Sequence, residues 1–349
     1  LATIYDSIVI GAGQSGLATA YYLKKKGMKY LVLEKSNQTA GSWPLYYDSL
    51  KLFSPVKYSS LPGLRFSGNY NHYPTKTEVI SYLNAYTKKF NLNICTGKKV
   101  MEVHKTHNLY LIKTEEGSIY KTKTLISTTG SFDFPNHPKI SGIESFGGEV
   151  LHSSEYRNPE RYTNKRVLVI GAGNSAVQIA YELRKKSKVT IATRKPIKFI
   201  PQKVLGVDIH FWFSLIGLNY FSFGKKLSLN DSVLDRNIFK KAIIKKNPDR
   251  RDMFESIIND GVIWKEDEKE KVDTIIFATG YRPNVNYLSA ISGALDENRM
   301  PIHKKGISTS NRGLFYVGLP GQRTFSSATL RGVGKDAKYI VNKVHALLK

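Results

Sequence analysis

Two glycine-rich turns hold the residues of this 349-residue chain whose type and spacing most plainly suit chemistry. Gly11, Gly13 and Gly16 follow the apolar run Ile8, Val9, Ile10, and at a constant offset of 160 residues Gly171, Gly173 and Ala176 follow Leu168, Val169, Ile170. In such a turn the first glycine permits a tight bend and the second lets backbone approach a ligand closely. The third position needs a tiny residue where helix meets strand, and alanine serves in the second copy. The ligand that fits is a diphosphate, seated on the free N–H groups of a helix N-terminus, where the helix dipole favours negative charge. Gln14 and Ser15 open the first helix, and Asn174 and Ser175 open the second, so they join the same cradles. One such turn is a weak signal, whereas two in matched context reinforce each other.

The residues 23 positions beyond each first glycine distinguish two ligands. Glu34, followed by Lys35, offers a carboxylate that accepts hydrogen bonds from ribose hydroxyls and repels a ribose phosphate, which suits the AMP half of FAD or NAD. Arg194, followed by Lys195, can clamp a 2′-phosphate through charge-assisted hydrogen bonds, which suits NADP. Solvated charges at a strand end are the plainer alternative for this second pair.

Each turn needs a strand before it and a helix and a second strand after it, so the repeat predicts two βαβ units. Leu125 to Gly130 (LISTTG) and Ile275 to Gly280 (IIFATG) form a second repeated pair and read as the strands that leave the two nucleotide units. The expected fold class is α/β with two Rossmann-like dinucleotide-binding domains. The NADP domain, residues 156–271, is inserted into a discontinuous FAD domain, residues 1–155 and 272–349, closed by a final helix from about Ala328. A chain of this length favours two domains over one.

Lysine and arginine exceed aspartate and glutamate by 25, but they are dispersed in short clusters such as Lys24, Lys25, Lys26, without one basic and aromatic stripe. A solvated lysine-rich surface is therefore expected, and nucleic acid is not. The single cysteine, Cys95, leaves no internal disulfide and no CxxC pair, and reads as an inert buried thiol. No secretory signal pattern opens the sequence, so a cytoplasmic location is expected. The segment 209–223, with Phe211, Trp212, Phe213, Tyr220 and Phe221, is shorter than the roughly 20 apolar residues a bilayer span needs. It reads as a substrate-channel or lid element, with ordinary core and a weak membrane-surface contact as alternatives. No metal-ligand set and no acid/base dyad is evident.

Phe146, Gly148, His152 and Tyr156 have the spacing FxGxxxHxxx(Y/F) and lie directly before the second glycine turn. Gly41, Ser42 and Trp43 match a G-x-W element, and Ala278 to Tyr281 an ATGY element. With the stretches LFSPVKYSSLP (52–62) and GLPGQRTFSSATLRGVG (318–334), the chain resembles, over nearly its whole length, the flavin-containing monooxygenases and the related Baeyer–Villiger enzymes. It looks closest to small bacterial members, including flavoproteins associated with cation-efflux or arsenic operons. The resemblance implies FAD in the first fold and NADPH in the second. It implies further that hydride passes from NADPH to FAD, and oxygen then through a peroxyflavin to a small sulfide, amine or ketone. It also implies that Gly41, Ser42, Trp43, Gly130, Gly280 and Gln322 lie with the FAD, that His152 lies with the NADP, with a hydrogen-bonded structural residue of the linking turn as the alternative, and that Ser54, the candidate catalytic residue, stands where many members carry an asparagine near the flavin C4a. Tyr156 replaces the tryptophan common in dedicated Baeyer–Villiger enzymes. Partners are then a small-molecule substrate and dioxygen, and a homodimer is compatible with the sequence. An NADPH oxidase, another FAD-dependent pyridine-nucleotide oxidoreductase, and a redox-sensing or RNA-associated flavoprotein stand as alternatives. A disulfide reductase of similar architecture would lack its usual dithiol relay.

Overall fold

The computed structural model describes residues 3–132, 134–215 and 232–349. Its architecture is α/β, built on two Rossmann-type sheets. In the first, the strand Ile4–Ile10 pairs in parallel with Tyr30–Leu33 on one side and with Ile119–Ser127 on the other. Leu314–Tyr316 adds in parallel beyond Ile119–Ser127, and Ile94–Cys95 beyond Tyr30–Leu33. The second sheet runs Asp249–Asp252, Lys188–Thr193, Arg166–Ile170, Thr274–Phe277, Glu149–His152, with every pairing parallel. Helices cover these sheets, so the central strands are apolar on both faces: Ile8, Val9, Leu168 and Val169 are all fully buried.

The 160-residue repeat persists at the level of single hydrogen bonds. The helix Gln14–Lys25 follows the first turn and Asn174–Leu183 the second. Gly11 N–H donates to Leu33 O at 2.8 Å, and its counterpart Gly171 N–H donates to Ala192 O at 3.1 Å. Thr128 N–H donates to Ile10 O at 2.9 Å, and Ala278 N–H to Ile170 O at 2.8 Å. Both turns are thus pinned between their two neighbouring strands.

Sheet membership differs from the expected division of the chain at two places. Glu149–His152 and Thr274–Phe277 pair with each other, and Thr274–Phe277 also pairs with Arg166–Ile170, so both strands belong to the second sheet, just outside the 156–271 span. The apolar run of Arg166–Ile170 needs a ladder partner on each side, and only a strand from beyond residue 272 supplies the second one. The return of the chain to the first sheet therefore begins after Phe277. The last helix, Leu330–Leu348, packs on Gln14–Lys25 and buries Val333, Ala337, Ile340 and Val344 in the first core. Cys95 also departs from expectation: it is only partly buried, because Ile94–Cys95 is an edge strand. Among the described residues, no helix is long and apolar enough to cross a membrane.

At the third turn position a Cβ on Gly16 would lie 1.9 Å from Gly11 O, whereas one on Gly173 would meet nothing within 4 Å. Gly16→Ala should therefore lower stability by about 3 kcal/mol, read from the denaturant midpoint. Gly173→Ala should cost less than about 1 kcal/mol.

Candidate active site

A cavity of about 2040 Å³ runs between the two sheets at the carboxyl ends of their strands. Open α/β sheets bind ligands at this edge. From the first turn, Gly11, Gly13, Gln14 and Ser15 line it; from the second, Gly171, Gly173, Asn174 and Ser175 do so. Glu34, Lys35, Gly41, Ser42, Trp43, Ser54, Gly130, Arg194, Lys195 and Gly280 also reach its wall. Gly16, Ala176, His152 and Gln322 do not.

The two turns have the geometry of diphosphate cradles. Gly11 and Gly171 take positive φ values of 101° and 143°, a region that glycine alone enters without strain. Gly13 and Gly173 are the N-caps of their helices, are extended, and carry no side-chain cap, so the first-turn N–H groups stay open to a ligand. A Cβ on Gly13 would make only an ordinary contact, 3.6 Å from Gly41 Cα. Thr128 Oγ donates to Ile10 O at 2.7 Å and Gly11 O at 2.9 Å, holding the first bend. Residues that would hold two dinucleotides are thus present on both sides.

Glu34 is almost fully buried at the end of its strand. Its Oε2 accepts from Ala12 N–H at 2.6 Å, and its Oε1 from the N–H and hydroxyl of Ser36, both at 2.9 Å. These bonds fix the carboxylate beside the turn. Arg194 and Lys195 are exposed on the cavity wall, directly after the strand Lys188–Thr193. Gln14 ties the first turn to its surroundings, donating from Nε2 to Ala328 O at 2.8 Å and accepting from Trp43 Nε1 at 3.3 Å.

The predicted residues away from the cavity have structural tasks. His152 is wholly buried; its Nε2 lies 3.0 Å from Gly280 O, and its Nδ1 accepts from Ser154 N–H at 3.1 Å. That pattern requires the neutral Nε2–H tautomer, and burial pushes the pKa down in the same direction. His152 therefore anchors the turn bearing Gly280 and does not line the cavity. Gln322 Nε2 donates to Tyr316 O at 2.8 Å and its Oε1 accepts from Leu319 N–H at 3.3 Å, which closes its own loop. Tyr156 is buried, stacks on Tyr162 and donates to Glu182 Oε2 at 3.0 Å. Ser54 lies on the cavity wall, but its hydroxyl is paired with that of Ser59 at 2.9 Å.

Of the aromatic segment, the helix Ile209–Leu215 is described, while Tyr220, Phe221 and the rest of 216–223 lie outside the described residues. Phe213 meets the cavity, and Trp212 Nε1 donates to Val204 O at 3.1 Å. Next to it is a polar cluster that the motifs did not reveal. Asp208 accepts from His210 Nδ1 at 2.6 Å, from His210 N–H at 2.9 Å, from Gln202 Nε2 at 2.9 Å and from the Tyr73 hydroxyl. Burial pushes the Asp208 carboxyl up, but these donors outweigh it and hold it at about 2. Arg331, at the start of the last helix, lines the cavity nearby. It falls inside the stretch 318–334, where no spacing marked it out.

The fold and cavity define a two-site dinucleotide oxidoreductase. Residues 8–213 match the model of the family described as pyridine nucleotide-disulphide oxidoreductase, and the chain belongs to that family. It is 38% identical over 346 residues to "Uncharacterized oxidoreductase CzcO" of Bacillus subtilis (strain 168), covering 98% of this chain and 99% of that one. It is 28% identical over 382 residues to "Probable indole-3-pyruvate monooxygenase YUCCA1" of Arabidopsis thaliana, covering 98% and 90%. Among solved structures, the flavin-containing monooxygenase from Stenotrophomonas maltophilia superposes with a TM-score of 0.88 at 26% identity, covering 99% of both chains. The chain is thus an oxidoreductase of the flavin monooxygenase type, a class whose cofactors are FAD and NADPH. Its single cysteine leaves no thiol pair for the disulphide chemistry in the family's description.

Both Gly13 and Gly173 have backbone angles that any residue accepts, so bulk there should block ligand and not folding. Gly13→Val should purify without FAD. Gly173→Val should purify yellow yet resist reduction by NADPH, as followed by flavin absorbance under anaerobic conditions.

Proposed function

We propose that the protein is an NADPH-dependent FAD monooxygenase acting on a small soft nucleophile, a sulfide or amine, or on a ketone. One observation carries this reading: both glycine turns open on the same cavity, so two dinucleotides seated on them can bring their reactive rings together inside the protein. FAD, when bound, supplies the hydride acceptor for the nicotinamide and the means of activating dioxygen.

The chain's own residues bind, orient and shelter. The N–H groups after Gly13 take the diphosphate of FAD, Glu34 and Lys35 face its ribose end, and Gly41, Ser42, Trp43, Gly130 and Gly280 leave room for the rest. The N–H groups after Gly173 take the diphosphate of NADPH, and Arg194 with Lys195 takes its 2′-phosphate. Phe53, Phe213 and Phe325 give the wall an apolar stretch that keeps water from the reacting atoms. A sulfide needs no protein base, since its sulfur is itself the nucleophile. Ser54 is assigned to the wall alone, its hydroxyl being committed to Ser59.

With oxygen-18 gas and NADPH, the holoenzyme should place one labelled atom in the sulfoxide of a thioether, read by mass spectrometry. Arg194→Ala should narrow the preference for NADPH over NADH by about tenfold, the worth of one charge-assisted hydrogen bond. If NADPH consumption is matched in full by hydrogen peroxide with every sulfide, amine and ketone, an oxidase is the better reading.

A further inference from the structure

Arg331 is a partly buried cation with no ion-pair partner among the described residues. Its Nε and Nη1 are shielded from solvent and have no hydrogen-bond partner among the described residues, while the side chain lines the cavity. Its surroundings are apolar: the guanidinium carbon lies 5.5 Å from the ring centre of Phe325 and 5.9 Å from that of Phe213. Burial lowers its pKa to about 10, offset in part by the field of Asp208. Asp208 cannot serve as its ion-pair partner, because that carboxylate already accepts from Tyr73, Gln202 and His210.

Two further terms oppose a lone cation here. The residue sits in the first turn of Leu330–Leu348, where the helix dipole disfavours positive charge, and that turn holds no acidic residue. Shielded guanidinium donors left unpaired are costly, and a carboxylate matches them geometrically. The apolar rings beside it suit the hydrophobic body of the same molecule.

We propose that Arg331 recognises a carboxylate on the substrate, so that the cavity takes an apolar aryl or thioether compound bearing an acid group. This rests on the cavity being the substrate site of the proposed oxidoreductase. The aryl or thioether part lies against Phe213 and Phe325, and the acid pairs with the guanidinium. Arg331 is a specificity-determining residue, and no bond is made or broken at it.

The test is calorimetric titration of the oxidised, FAD-loaded protein with two matched probes, (phenylthio)acetate and its neutral amide, (phenylthio)acetamide. The acid should bind at least tenfold more tightly than the amide. Arg331→Met should erase that difference by weakening the acid far more than the amide, and Arg331→Lys should keep part of it. Equal binding of acid and amide by the unaltered protein overturns the proposal, and that comparison does not depend on any variant folding. Equal weakening of both probes in Arg331→Met also overturns it, since the residue would then serve the cofactor or the wall. Because binding needs neither NADPH nor oxygen, a failure of oxygen transfer would leave an observed acid preference standing. Oxygenation of neutral thioethers without any acid preference would do the reverse.

Discussion

Everything in this molecule follows from the need to bring bare backbone N–H groups against a diphosphate. Side chains would hold the anion away, so the approach requires glycine at the bend and at the helix start, and a tiny residue where helix crosses strand. Gly11 and Gly171 meet that need with positive φ, and Gly16 meets it by letting the first helix lie against its own turn. The parallel ladders then hold each turn from both sides, through Leu33 and Thr128 in one copy and Ala192 and Ala278 in the other. Each turn is thus held by its own sheet.

Two seats make an oxidoreductase only if they face each other, and residues 45–53 fix that relation. Tyr47 donates to Gln178 Oε1 at 2.6 Å, Asp48 N–H to Arg157 O at 2.8 Å, and Arg157 Nη1 to Leu45 O at 2.7 Å. At the far end Gln202 Nε2 donates to Phe53 O at 3.0 Å. His152 adds a buried link from the strand end to the turn of Gly280. The signature that includes His152 and Tyr156 therefore belongs to the joint between the two nucleotide units. Its residues stay out of the cavity wall.

The repeated turns, the strands around them and the residue types at 34 and 194 were legible in the sequence because each reflects a local rule, periodicity or spacing, that works over a few dozen residues. The crossings between the sheets were less so: whether Thr274–Phe277 belongs to one sheet or the other depends on which partner completes the ladder of Arg166–Ile170, a contact more than a hundred residues away. His152 and Gln322 were assigned to cofactors because motif residues and cofactor contacts are neighbours in sequence, yet their polar atoms are spent on Gly280 and Tyr316. Arg331 and the Asp208 cluster could not be found by spacing at all. They are assembled from segments near 73, 202–213 and 331, and only burial marks them as unusual.

We propose that FAD and NADPH occupy one cavity and exchange hydride directly. Anaerobic rapid mixing of the yellow protein with NADPH deuterated at C4, one face at a time, tests it most directly. The account predicts that NADPH alone bleaches the flavin absorbance in a single turnover, with the rate slowed by deuterium on one face only. Flavin that stays oxidised in the presence of saturating NADPH, and is reduced only through an added electron mediator, would contradict it.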